Sequence, residues 1–314
     1  MALEASTREA YGNTLVELGR ENRDIVVLDA DLSASTLTRL FAREFPQRFF
    51  DCGIAEQNMM GIAAGLAASG KTVFASTFAV FASCNCFSQV RLSIAHPRLN
   101  VKIVATHGGI TVGEDGTSHH AIEDLALFCS HPSFTVVVPA DAIETAQAVR
   151  TAASTYGPFY IRLSRPSTRV VHTEDYRFQL GQAVTMRQGG DATIIAIGVM
   201  VAHALEAAQN LMTDGIDCRV LNMATLKPID EQAIINAARE TGAIVTAEEH
   251  LEHGGLGSAV ARVVTQHQPV PMAFIAMTAY AKSGKPQELL EQHKLTASDI
   301  EAAVRSVLPR KSVA

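Results

Sequence analysis

The segment Asp51-Cys-Gly-Ile-Ala-Glu-Gln-Asn-Met-Met60 puts one carboxylate, Glu56, at the start of an Ala/Gly-rich helix with apolar or small neighbours on nearly every side. Burial raises a carboxyl pKa while a helix N-terminus favours the anion, so a largely desolvated Glu56 is poised to exchange a proton with a bound heterocycle. The plainer alternative is that it satisfies first-turn amides. Further on, Thr77-Phe-Ala-Val-Phe81 sets two rings, Phe78 and Phe81, at spacing i, i+3, on one face of a helix that follows a buried strand. Such a pair serves either as core or as a platform for a flat ligand. A strand ending at His107 then runs into Gly108-Gly-Ile-Thr-Val-Gly-Glu-Asp-Gly-Thr-Ser-His-His120, a glycine-rich loop dense in titratable groups. Ligands gather at the carboxyl ends of strands in an open parallel sheet, which is where this loop falls. Its alternative is a solvated loop whose acids cap a helix starting near Ile122.

The elements that position these residues are legible from the hydrophobic pattern. Short β-branched runs at 24–31, 72–77, 101–107, 134–141 and 159–164 alternate with Ala/Leu-rich stretches of helical length at 56–68, 79–95 and 142–153. Strands apolar on both faces belong to parallel sheets covered by helices. The fold class is therefore α/β, with two domains, each a mainly parallel sheet flanked by helices. The first spans 1–170. Residues 171–190, with His172 and Gly189-Gly190, lose the rhythm and read as a connector. The second, 191–314, opens with a strand at 192–197 and continues with strands at 218–221, 243–247 and 272–276, separated by helices near 202–211, 231–238 and 256–266.

Composition bounds the possibilities further. The chain has 314 residues, 47% hydrophobic and 18% charged, with 26 basic and 32 acidic side chains for a net charge of −6. That is ample apolar material for two cores, and no Lys/Arg-rich run offers a footprint for nucleic acid. No apolar segment is long enough to cross a membrane and no leader is legible, so a cytoplasmic protein is expected. Cys52, Cys84, Cys86, Cys129 and Cys218 form no paired array and read as reduced, buried thiols.

Taken together and in this order, Glu56, the Phe78/Phe81 pair and the His107–His119 loop resemble the pyrimidine-binding domain of the thiamine-diphosphate-dependent transketolase family. The stretch 192–308, with Met223-Ala-Thr-Leu-Lys-Pro228 and Glu248-Glu-His-Leu-Glu-His-Gly-Gly-Leu-Gly257, is similar to the transketolase C-terminal domain. The chain thus looks like the second half of a transketolase. The Gly-Asp-Gly motif and following Asn with which the family holds a divalent metal and the cofactor's phosphates have no counterpart here. The resemblance therefore implies a partner, an N-terminal subunit carrying the diphosphate-binding domain and Mg2+, in a 2+2 heterotetramer.

The resemblance also implies roles. Glu56 would hydrogen-bond the aminopyrimidine ring of thiamine diphosphate and favour its imino tautomer, while Phe78 and Phe81 pack against that ring. Asp31 and Leu32, in Leu28-Asp-Ala-Asp-Leu-Ser-Ala-Ser35, would reach the cofactor. Ser35, Arg8 and Arg165 would bind the phosphate of a sugar phosphate substrate, the arginines through their planar fork of donors. His107 would assist at the phosphate end and, with His119, in catalysis; Asp115 and His119 would bind hydroxyls of the ketose. Without the family, Arg8 reads as a surface ion-pair partner and Arg165 as a tether for the connector. Two departures are visible: Cys84 stands where family members often have tyrosine, and the common Thr-His-Gln-Pro reads Ser118-His119-His120-Ala121, leaving His120 either facing substrate or solvated.

The implied activity is transfer of a two-carbon ketol unit from a ketose phosphate to an aldose acceptor. A second enzyme reading is a 1-deoxyxylulose-5-phosphate synthase or the β subunit of a 2-oxoacid dehydrogenase, whose glutamate segments also resemble Gly53-Ile-Ala-Glu-Gln57. A regulatory or scaffolding subunit is the non-enzyme reading. A nicotinamide dehydrogenase is a weaker reading still, because Gly254-Gly-Leu-Gly257 lacks the full glycine fingerprint and a clear acidic residue about twenty positions later.

Overall fold

The computed structural model describes residues 3–311. Its strands, in chain order, are β1 (Glu4–Ala5), β2 (Ile25–Asp29), β3 (Phe49–Asp51), β4 (Thr72–Phe78), β5 (Val101–Thr106), β6 (Thr135–Val137), β7 (Phe159–Arg162), β8 (Thr168–Arg169), β9 (Val184–Arg187), β10 (Ala192–Ala196), β11 (Cys218–Asn222), β12 (Thr225–Lys227), β13 (Ile244–Leu251) and β14 (Met272–Met277). They form a seven-stranded sheet of order β12-β6-β7-β5-β4-β2-β3, a five-stranded sheet of order β14-β13-β10-β11-β9 and a small β1-β8 ribbon. The two large sheets are parallel except at one edge each, where β12 runs antiparallel to β6 and β9 antiparallel to β11.

Every residue of β2, β4 and β5 is buried, the signature of central parallel strands covered on both faces. One face takes the helix Glu56–Ala68 through Met59, Met60, Ala63, Ala64 and Ala67. The other takes Tyr11, Leu15 and Leu18 of the helix Thr7–Glu21 and Ala148, Val149 and Ala152 of the helix Ala142–Ser154. The latter starts where it does because Asp141 caps it, accepting the Glu144 amide at 2.9 Å. In the second half, Ala297–Val307 opens on a reciprocal capping box between Thr296 and Asp299. One apolar cluster joins Leu28, Met59 and Ile103 of the first half to Ile195, Leu221 and Val260 of the second.

Three sequence expectations are corrected. Phe78 is not helical: it is the last residue of β4, held in register opposite Thr106 of β5, and the parallel ladder overrides local helical spacing. The helix expected over 79–95 is broken into wide π turns at Phe81–Asn85 and Val90–Ala95 around Phe87–Gln89. The stretch 171–190 is not wholly irregular, since β9 lies within it and extends the second sheet.

Candidate functional site

Most of the candidate residues follow the carboxyl ends of β2, β4, β5 and β7, adjacent strands of one parallel sheet, so their loops emerge side by side, while Arg8 comes from the helix Thr7–Glu21 and Glu56 from the helix after β3. Beyond β2, Asp29 is fully buried and accepts from the Leu32 amide at 2.6 Å and from the hydroxyls of Thr36 and Thr38 at 2.7 and 2.8 Å. Burial pushes its carboxyl up to about 6 despite these donors. This buried acid moulds the turn that presents Asp31 and Leu32. Asp31 takes a left-handed φ of 60° and donates its amide to Asp51 Oδ1 at 3.1 Å. Ser35 lies in the short helix Ser33–Thr36 that follows, and its carbonyl accepts from Arg8 Nη1 at 2.8 Å.

At the end of β5, His107 adopts φ 61° and is 4% exposed, with Nδ1 2.8 Å from Thr106 Oγ1. Burial first, then the Arg8 and Arg165 guanidiniums and His119, push its pKa down to about 3, so the imidazole is neutral at physiological pH. Phe78 is stacked on it at 3.8 Å between centroids and on Phe81 at 5.8 Å, and His119 meets Phe81 edge-on at 5.3 Å. Phe78 is therefore sandwiched between His107 and Phe81, and Phe81 is the half-buried ring of the pair.

Arg8 and Arg165 face one another closely enough that burial and the second guanidinium hold Arg8 below its ordinary pKa. Arg8 Nε is buried without a hydrogen-bond partner. Two cations over a neutral imidazole, one with an orphaned donor, make an environment suited to an oxyanion. Arg165 meanwhile donates to the Val112 carbonyl and lies 3.4 Å from Glu114 and 3.6 Å from Asp115. The structure thus brings together Arg8, Ser35, Phe78, Phe81, His107, Asp115, His119 and Arg165.

Glu56 begins the helix Glu56–Ala68, as its sequence position predicts, but the expectation that it is largely desolvated is corrected. It is half-buried, because the surface beside it is open: Ile54 is 83% exposed and a side chain built at Gly61 or Gly65 would meet nothing within 4 Å. Its helix reaches the aromatic segment through Gln57 Nε2, which donates to the Asn85 carbonyl at 2.9 Å. The thiols also differ from expectation, for Cys86 and Cys218 are buried, Cys52 and Cys129 half-buried and Cys84 exposed one turn beyond Phe81. His120 neither faces solvent nor the ring cluster; it is buried, with Nε2 3.1 Å from the Gly113 carbonyl.

Sequence reasoning missed Asp29, although an acid inside the apolar run Ile25–Asp29 is itself a signal. It also missed a buried network beneath the glycine loop. Arg162 pairs with Asp124 at 3.0 Å, Tyr160 donates to the same carboxylate at 2.6 Å, and Glu248 and Glu249 of β13 are buried beside them. Two adjacent acids ending an apolar strand were the available clue.

Thiamine diphosphate can be tested against these residues. A carboxylate at the start of a helix that is tied to the aromatic segment through Gln57 suits the pyrimidine end. Among the described residues no group of three His, Cys, Asp or Glu side chains is arranged to hold a metal ion.

Comparison with known proteins defines the class. The family model for the transketolase pyrimidine-binding domain matches residues 4–171, and that for the transketolase C-terminal domain matches 181–300. The fold is that of a transketolase-type α/β chain. Among relatives, a putative transketolase C-terminal section of Methanocaldococcus jannaschii is 46% identical over 297 residues, covering 93% of both chains. A Clostridium protein named 6-deoxy-6-sulfo-D-fructose transketolase subunit SqwH is 41% identical over 97% of this chain and 95% of its own. A solved structure titled split gene transketolase, inactive beta4 tetramer, superposes with TM-score 0.92 at 53% identity, covering 98% and 99% of the two chains. Human transketolase is 40% identical over 97% of this chain, which spans only 49% of its length. The chain belongs to the transketolase family.

Proposed function

We propose that this protein is the C-terminal subunit of a two-subunit transketolase, transferring a two-carbon ketol unit from a ketose phosphate to an aldose acceptor. The observation that carries this reading is the Arg8–Arg165 pair above neutral His107, with the orphaned Arg8 Nε as a donor for the substrate's terminal oxyanion. Ser35 adds a hydroxyl at that end, and Asp115 and His119 meet the sugar hydroxyls. Asp31, Leu32, Glu56, Phe78 and Phe81 form the cofactor side. The bound thiamine diphosphate supplies the nucleophilic carbon and the electron sink for carbon–carbon cleavage. Glu56 holds a proton against the pyrimidine ring nitrogen, and His107, a neutral imidazole, and His119 orient the substrate oxygens and hand protons on.

The partner is an N-terminal subunit that brings the diphosphate-binding domain and Mg2+ in a 2+2 assembly in the cytosol. The open surface beside Glu56, with Ile54 and Phe50 exposed, suits a neighbour that completes the desolvation expected of that carboxylate. Residues 1–170, 171–190 and 191–314 serve as pyrimidine-binding domain, connector and C-terminal domain. Because one relative is named for a sulfonated sugar, the terminal oxyanion is phosphate or sulfonate, and the arginine pair accommodates the shared chemistry.

Isothermal titration with thiamine diphosphate tests the proposal. Mg2+-dependent binding with the partner and negligible binding without it are expected, followed by turnover of ketose phosphates. Activity with pyruvate but none with ketose phosphates, or the absence of cofactor binding in the complex, would overturn it.

A further inference from the structure

The loop that carries the substrate-facing groups is bedded on the second half of the chain. Glu249, at 3% exposure near the end of β13, extends its carboxylate beneath Gly109. Its Oε1 accepts the Thr111 amide at 2.5 Å. Gly109 is at φ +78°, and a Cβ there would lie 2.1 Å from the Glu249 carboxyl carbon, so the backbone and the acid approach as closely as glycine permits. Arg162 reinforces the joint by donating to the carbonyls of Ala121 and Glu249 at 2.9 and 2.8 Å. Further along, Thr117 Oγ1 donates to the Ala281 carbonyl at 2.5 Å, and Gly113 and Gly116 pack against Pro286 and Ser283.

We propose that Glu249 is a positioning residue. By tying the Thr111 amide to β13, it sets where His107 stands at one end of the loop and Asp115 and His119 at the other. The inference rests on the reading of this loop as the sugar-binding element. A backbone donor on a buried carboxylate, with Gly109 pressed against the same group, is a strong, directional restraint. His107 sits just upstream in a left-handed conformation that only a firmly held neighbour can maintain. The second half of the chain then acts on substrate geometry without touching substrate.

Hydrogen–deuterium exchange and kinetics on the assembled complex test this. Glu249→Gln places an amide group where the Thr111 N–H points. Exchange at Thr111 and the adjoining loop amides should quicken about tenfold, and KM for the ketose phosphate should rise about 10- to 100-fold. The affinity for thiamine diphosphate should stay unchanged, and kcat should fall far less than KM rises. Glu249→Asp, which keeps the charge, should recover part of the KM loss. Unaltered exchange at these amides, or kcat and KM changing only as the folded fraction changes, would overturn the proposal. If Glu249→Gln does not fold, Thr117→Val decides, because it removes only the hydroxyl bonded to Ala281. Faster exchange over 113–119 with a raised KM supports the inference, and no change in either refutes it. Exchange reads the anchor independently of turnover, so a wild-type complex without transketolase activity would instead strike the proposed function.

Discussion

Replacing Arg165 by alanine separates a substrate clamp from a structural tether. Its guanidinium is about one-third exposed and, without substrate, leans on the Val112 carbonyl and on the half-exposed carboxylates of Glu114 and Asp115. Exposed ion pairs of this kind contribute about 0–1 kcal/mol, which binding a sugar phosphate must forgo. A charge-assisted hydrogen bond to phosphate contributes about 1.5–3 kcal/mol, and the dianion also relieves the repulsion from Arg8. The net loss on Arg165→Ala is then about 1–2 kcal/mol, or about 5- to 30-fold in kcat/KM for phosphorylated ketoses. Steady-state kinetics with a phosphorylated ketose and its unphosphorylated counterpart measure this directly, and the latter should be almost unaffected. Equal losses for both substrates would show that Arg165 merely holds the strand end in place, and the oxyanion argument would fail.

Glu56→Gln in the complex should lower turnover by about two to four orders of magnitude, as for general acid–base groups, with near-normal turnover removing Glu56 from the mechanism. His107, pushed down to about 3 by burial and its cationic neighbours, should show the nitrogen shifts of a neutral imidazole by NMR down to pH 5; an imidazolium at pH 6 would contradict the assigned environment. At the junction of the two halves, burial opposes the proton on His172, but the Asp141 hydrogen bond and Glu144 outweigh it and raise the pKa, while burial raises that of Glu144 itself. Both groups favour the proton-bound state, so their stabilisation is complete below their unfolded pKa values and fades as pH rises through the folded ones. Thermal midpoints should therefore fall from pH 6 to pH 9, and His172→Gln should flatten that slope; a slope unchanged in the variant would exclude His172 as its source.

The alternation of apolar strands with helical segments was readable because buried parallel strands are written as continuous apolar runs, and the bounds of Glu56–Ala68 are those the pattern predicts. The helix Thr7–Glu21 was not, because Gly12 and Gly19 dilute its helical signal. They are there for close approach: a Cβ at Gly19 would fall 2.5 Å from Phe45, and one at Gly12 would fall 2.8 Å from the Leu37 carbonyl. Phe78 was misassigned because spacing i, i+3 arises equally from a strand end followed by a turn. The chemistry-bearing residues were legible as types on loops, and their convergence follows from strand order, which no local pattern encodes. The role of Glu249 was illegible for the same reason, since the Thr111 amide it accepts lies far away in the chain.

The strand β12 has a consequence for how the polypeptide can be divided. It belongs to the second half by position yet finishes the sheet of the first, and Asn222 just before it donates to the buried carboxylate of Glu144 at 2.9 Å. Severing the backbone anywhere in 171–190 and producing the pieces apart would strip β6 of its neighbour and leave a bare, adhesive rim. The pieces should clump when made separately and rescue one another when made together, so a recombination library that exchanges whole halves among relatives should break the chain elsewhere.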